Sequence, residues 1–297
     1  MTNGILFALL SYASFSWSDA GIKALGGQMS VFQIGFFLTL VSGGCILLTT
    51  PREERQRDFW RMKRPWAVQA RALSGLGSSL LSVVAFTTIP LAEVYALTFL
   101  APLFVTILSV LVLKEHVGPW RWLAVFAGFA GVLLVVRPGF RELQLGHLAA
   151  FGIAFLAAIT VILMRSLARE ERRTTMLGYL IFYGLIVNGA SMIANGSFVM
   201  PTLPQAGMLA LAGVFSAFGH IGLLQATRFA AANEIAPTNY SQIIWAVLIG
   251  LLFFQERPDL TAFIGLAVIV ASGLLTFARE RIRLGTVRWN PFGRNRL

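Results

Sequence analysis

The sequence predicts an all-helical (all-α) integral membrane protein with ten transmembrane helices, arranged as two inverted five-helix repeats. Three observations predict it. The first is composition: of 297 residues, 57% are hydrophobic and 12% charged, with a mean hydropathy of +0.74. Soluble domains carry about 25% charged residues, so this chain has too few charges to cover a soluble surface. The second is a series of apolar stretches, each near the roughly 20 residues that a bilayer crossing needs. The third is an internal repeat whose period spans five of those stretches.

The stretches are 4–22, 30–50, 72–89, 94–113, 120–137, 147–165, 176–194, 206–226, 235–254 and 260–278. Each is expected to be a helix, because lipid offers no partner to an unpaired backbone N–H or C=O. The connections are short and hold turn-formers, as in Leu25-Gly26-Gly27, Arg137-Pro138-Gly139 and Arg257-Pro258-Asp259. Met1-Thr2-Asn3 offers no basic n-region, and no small-residue cleavage site follows the first stretch. It therefore reads as a retained span and not as a signal peptide.

Basic residues set the expected orientation. With the N-terminus cytoplasmic, twenty of the 24 Lys and Arg fall on inner connections and the C-terminal stretch. Only Lys23, Arg137, Arg141 and Arg257 fall outside. Both termini are thus expected to be cytoplasmic, in a bacterial inner membrane. Trp60, Trp66, Trp120, Trp122 and Trp289 gather at the same inner boundary, where an indole suits the headgroup layer. The net charge of +11 is then a topology signal, aided by anionic lipid, and nucleic acid is not an expected partner. The single cysteine, Cys45, excludes a disulfide framework, and His116, His147 and His220 make no ligand pair at helical spacing. No metal and no cofactor is expected.

The repeat is read from spacing. Glu93 to Glu115 is 22 positions, as is Glu234 to Glu256, an offset of 141 that also pairs Phe99 with Tyr240 and Phe104 with Trp245. An offset of 142 pairs Lys23 with Arg165 and Gly131 with Gly273. The expected division is 1–140 and 141–279 for the two five-helix repeats, with 280–297 as a basic cytoplasmic tail. Five crossings reverse a chain's direction, so a repeated unit of five must be inverted. That arrangement suits a midplane site opened alternately to either side.

At these residues the chain resembles the drug/metabolite transporter superfamily, EamA type. The first half carries Pro90-Leu91-Ala92-Glu93, Ala101-Pro102-Leu103-Phe104, Leu113-Lys114-Glu115 and Gly128-Phe129-Ala130-Gly131-Val132. The second carries Ala236-Pro237, Tyr240-Ser241-Gln242, Trp245, Gly250, Glu256-Arg257-Pro258 and Gly265 to Gly273. The resemblance implies ten helices in two inverted halves, a central cavity and secondary transport of small metabolites. One departure stands out: members often carry an arginine in the second helix, where this chain has Phe37-Leu38 and Gln33 as the nearest polar group. An anion-binding role for that arginine is not carried over.

Asp19 and Lys23 are ionisable groups in or at the end of the first helix. A charge at membrane depth costs at least about 2.5–3.5 kcal/mol and is normally paired or faces water. Their i,i+4 spacing lets them pair, and Tyr12, Ser16, Asp19 and Lys23 share one face. Asp19 is therefore either half of a local pair anchoring the helix end or the group that binds a substrate ammonium or a coupling proton. His220 is the second proton candidate, against a packing histidine. Asn239, Gln242 and Trp245, behind Pro237, are expected to line the pathway, with Tyr95 and Thr98 beside Pro102 as the facing wall. Tyr12, Trp17 and Gln33 complete the expected pathway. Pro102 and Pro237 act either as hinges or as static bends. Glu93, Glu115, Glu234 and Glu256 read as structural from their positions at helix ends.

No P-loop, H-E-x-x-H or G-x-S-x-G sequence is present, so neither ATP use nor an intramembrane enzyme is indicated. The expectation is a secondary active transporter working by alternating access, with a small-molecule substrate and protons as the candidate coupling ion. Export of an amino-acid-like or zwitterionic compound is the first reading. Import of a flavin, nucleoside or S-adenosylmethionine-like metabolite is the second.

Overall fold

A computed structural model describes residues 2–49, 60–111, 118–137, 142–167, 170–230 and 235–287. All the regular structure in them is helical: α1 (Thr2–Ala24), α2 (Val31–Thr49), α3 (Pro65–Thr88), α4 (Leu91–Thr98), α5 (Ala101–Leu111) and α6 (Pro119–Val136). After these come α7 (Leu145–Leu167), α8 (Arg173–Ala194), α9 (Leu203–Phe229), a 3-10 turn (Ala236–Tyr240), α10 (Ser241–Phe253) and α11 (Leu260–Val287).

Among the described residues, seven helical stretches are long and apolar enough to cross a membrane, counting α4 and α5 together over Leu91–Leu108. Three shorter apolar helices, Trp122–Val136, Pro237–Phe253 and Leu260–Leu275, accompany them. Large side chains such as Leu48, Leu148, Ile193 and Leu252 stand exposed along these helices, as a lipid-facing exterior requires. The chain is an integral membrane protein.

Two expected continuous helices are interrupted, and proline is the reason. The stretch 94–113 breaks at Phe99–Leu100, so that Pro102 lies in the first turn of α5, where its missing N–H costs nothing. The stretch 235–254 opens as a tight 3-10 turn containing Pro237 before α10 begins at Ser241. At the other extreme, α11 continues to Val287, so the first part of the expected tail is helical.

The main packing partners come in matched sets. Helix α1 lies on α9 as α7 lies on α3, and α2 packs on α9 as α8 packs on α3. The α4–α5 pair meets α7 as α10 meets α1, while α2 with α8, α4 with α10 and α6 with α11 form three further pairs. Glycine permits the closest of these: a Cβ on Gly131 would stand 2.8 Å from the Gly265 carbonyl oxygen, so α6 and α11 touch backbone to backbone. Ser74, part of a serine stripe on α3, is 2.8 Å from Thr160 of α7, a packing contact.

Candidate functional site

The short helix α4 packs among helices of both halves of the chain. It packs on α7, α10 and α6, and seven of its eight residues are buried. From it the Tyr95 hydroxyl donates to Asp19 Oδ2 on α1 at 2.5 Å and lies 3.3 Å from Ser16 Oγ. Gln242 stands at the start of α10, which packs on both α1 and α4. Asp19 and Tyr95, expected on separate grounds, thus form one hydrogen-bonded group with Ser16 that joins α1 to α4, beside the start of α10. Asp19 remains partly accessible, while Ser16 and Tyr95 are buried.

The expected pairing of Asp19 with Lys23 is not what the structure holds. Lys23 Nζ lies 2.8 Å from Glu256 Oε1 and donates to the carbonyl oxygens of Ile89 (2.7 Å) and Phe86 (3.3 Å). It also sits 5.5 Å over the Phe254 ring. Three acceptors at the α3–α4 junction and the α10 exit outcompete one carboxylate a turn away. Among the described residues, Asp19 has no cation partner.

Other expected residues divide. Phe99 and Tyr240, matched by the repeat spacing, stack face to face with centroids 4.8 Å apart at 18°. Thr98 bonds back to the Tyr95 carbonyl (2.9 Å), so its hydroxyl serves its own turn. Asn239 is half-buried in the 3-10 turn and its amide has no hydrogen bond among the described residues. Trp245 packs partly buried on the main core, and Tyr12 packs on a small cluster formed by Ala8, Ala226, Ala230 and Ile235. His220 is exposed, with Nδ1 2.8 Å from the Ser216 carbonyl and its ring edge-on to Phe15, one turn before Asp19 on α1.

Two expected pathway residues are placed elsewhere. Gln33 is fully buried and spends both ends of its amide on Val199, donating to its carbonyl (2.6 Å) and accepting from its N–H (3.0 Å). It ties α2 to the loop after α8 because a buried amide needs a donor and an acceptor together. Trp17 points to the opposite side of α1 from Asp19, two residues being about 200° apart on a helix. There it meets Phe215 at 6.3 Å and Phe253 at 5.5 Å.

Of the four helix-end acids, Glu115 and Glu234 lie outside the described residues. Glu93 Oε2 is 3.0 Å from His147 Nε2; the Gln144 N–H donates to Nδ1, which leaves Nε2 to donate to the carboxylate. Glu256, besides holding Lys23, accepts from the Leu91 N–H at 2.9 Å and so caps α4. Sequence reasoning missed Glu256 as the partner of Lys23. The signal was present: Glu256 repeats Glu115 and Lys23 repeats Arg165, which marks one charge of each sign at matched positions.

The EamA-like transporter family matches residues 2–137 and again 144–278. Relatives of similar length include a riboflavin transporter of Rhizobium johnstonii, 27% identical over 282 residues, covering 94% of this chain and 90% of that one. An S-adenosylmethionine uptake transporter of Rickettsia prowazekii is 24% identical and covers 94% of each chain. The pseudopaline exporter CntI of Pseudomonas aeruginosa is 27% identical over 275 residues, covering 91% and 95%. A solved crystal structure, 17% identical in sequence, superposes with a TM-score of 0.69 over 96% of this chain and 99% of that one, a likeness of fold. With two matches spanning most of its length, the chain belongs to the EamA-like transporter family.

Proposed function

We propose that this chain is a secondary carrier for a small polar or amphipathic metabolite, with Asp19, Tyr95 and Gln242 as the core of its substrate site. The observation that carries this reading is the Asp19 carboxylate, held within an apolar helix between helices of both halves with no cation partner among the described residues. Such a charge is costly unless a cation or water meets it, and a transported ammonium group or a coupling proton supplies one. Asn239 and Trp245 complete the wall. His220 on α9, whose ring meets Phe15 one turn before Asp19, is a second place for a proton.

In the same reading the halves, 1–140 and 141–279, are inverted repeats of five crossings each, with both termini cytoplasmic. Two observations support it. The principal helix pairs come in matched sets, and Phe99 stacks on Tyr240, its counterpart in the repeat. Equivalent residues touch only near the axis that relates them. Placement of Lys23 at the extracytoplasmic end follows from the distribution of basic residues.

A carboxylate flanked by hydroxyls, amides and an indole suits an amino-acid-like or zwitterionic compound, and export is the first reading of direction. Import of a flavin, nucleoside or S-adenosylmethionine-like compound is the second, favoured by the relatives named for riboflavin transport and S-adenosylmethionine uptake. Untargeted profiling of metabolites in cells and medium tests both. Expression should move a compound across the membrane, outward or inward, and Asp19→Asn at equal abundance should not. A redistribution that Asp19→Asn leaves intact removes Asp19 from the site.

A further inference from the structure

Three ion pairs join the segment 2–137 to the segment 144–278 at one end of the helices: Lys23 with Glu256, Glu93 with His147, and Arg137 with Asp259. Among the described residues, the two non-glycine residues with positive φ lie at the same end. Arg137 (48°) belongs to one of these pairs, and Gln255 (56°) immediately precedes Glu256. Non-glycine residues persist in that conformation where their surroundings over-determine it. Here Glu256 supplies the constraint. Its N–H bonds to the Gly250 carbonyl (2.9 Å), and its carboxylate lies so close over Gly250 that a Cβ there would stand 2.7 Å from Oε2.

The Lys23–Glu256 pair differs from the others in reaching the site. Lys23 is one turn from Asp19 on α1. Glu256 caps Leu91, the first residue of α4, while Tyr95 on α4 bonds Asp19. Helix α4 has two turns and is separated from α5 by the break at Phe99–Leu100, so α1 holds it twice, directly at Tyr95 and through Glu256 at Leu91. The pair is well shielded, with side chains 13% and 14% exposed. Glu256 also lines a cavity of about 100 Å³, together with Pro90, Ala92, Glu93, Ala246 and Gly250 among others. At this end helix α1 packs on α3 where Lys23 reaches Phe86 and Ile89. At the other end the same segments meet differently: Arg64 Nε lies 3.9 Å from Glu170 Oε2 with both side chains about half exposed, and the Lys63 and Arg64 N–H groups donate to Glu171.

We propose that Lys23 and Glu256 form the latch closing this end of the pathway, and that α4 couples the latch to occupancy of Asp19. The inference rests on reading Asp19 as the substrate site. A substrate that draws the carboxylate away from Tyr95 removes one of the two holds on α4, and the latch is then the remaining one. Lys23 and Glu256 are positioning residues in this account and do not touch substrate.

The test uses the full chain with Cys45→Ser and a reporter Ala246→Cys, a buried position lining that cavity, in sealed vesicles of each orientation treated with a membrane-impermeant maleimide. Lys23→Gln should label faster than the unaltered background by roughly tenfold or more, since one partner of a shielded pair is left uncompensated. The increase should appear in one vesicle orientation only, and Lys23→Arg should keep labelling slow. Tyr95→Phe should give a smaller rise on the same side. Unchanged labelling in Lys23→Gln, or an equal rise from both sides, overturns the latch. The assay needs no substrate, so a failed latch leaves the Asp19 reading standing, and normal transport by Asp19→Asn removes that reading while leaving the labelling result intact. A Lys23→Gln protein that does not fold is replaced by Glu256→Gln, for which the same outcomes decide.

Discussion

Asp19 accepts a hydrogen bond from Tyr95, 76 residues away, at 2.5 Å, while the cation one turn along its own helix is held by Glu256. That exchange of partners turns a local helix-end pair into two separate devices. One is a carboxylate hydrogen-bonded between α1 and α4. The other is an ion pair between the two family-matched halves.

Removing the Tyr95 hydroxyl takes away one hydrogen bond to a charged acceptor, worth about 1.5–3 kcal/mol. Tyr95→Phe should therefore slow transport by roughly tenfold or more, and Asp19→Asn should abolish it. Both proteins should reach the membrane at normal abundance. Uptake or efflux measured alongside quantitative blotting checks this, and a Tyr95→Phe carrier at full rate contradicts it.

Gln33 is expected to matter for stability and not for substrate. Gln33→Leu loses both bonds to Val199 and should cost about 1–2 kcal/mol, read as a lower unfolding temperature in detergent. The substrate concentration giving half-maximal transport should stay put. A change in that concentration without a change in stability would return Gln33 to the pathway.

Trp17 faces Phe215 and Phe253 on the side of α1 away from Asp19. Trp17→Leu keeps an apolar surface there, so transport should remain within about twofold of the native rate. A substrate-selective loss would show that the indole turns inward during the cycle.

Gly250 leaves the space that the Glu256 carboxylate fills. Gly250→Ala should displace that carboxylate and reproduce the one-sided rise in Ala246→Cys labelling caused by Glu256→Gln. Combining the two substitutions should add little, because both remove the same contact. Additive effects would assign Gly250 a different role.

Much of this arrangement was legible in the sequence. Apolar length and few charges identify the membrane helices, and Asp19 stands out because an ionised group in a span needs a reason. The spacing that matches Phe99 with Tyr240 anticipates a pair that the structure stacks. Residue spacing does not show that α1 and α4 meet at Asp19 and Tyr95. It also favoured the nearest opposite charge for Lys23, whereas packing brings Glu256 across 233 positions and adds two backbone carbonyls that no pattern of side chains reveals. The contacts of Gln33 and Trp17 were hidden for related reasons. A polar or aromatic residue in a span is visible, but whether it ties helices, faces lipid or lines a pathway depends on its neighbours.

The central claim is that a single site serves both sides of the membrane in turn. Counterflow in proteoliposomes tests it most directly, using the metabolite found by profiling as labelled substrate and the same compound unlabelled on the opposite side. A carrier of this kind should show saturable flux that unlabelled substrate on the far side accelerates, and Asp19→Asn should show neither. Flux that rises linearly with concentration and ignores the opposite compartment would contradict the account.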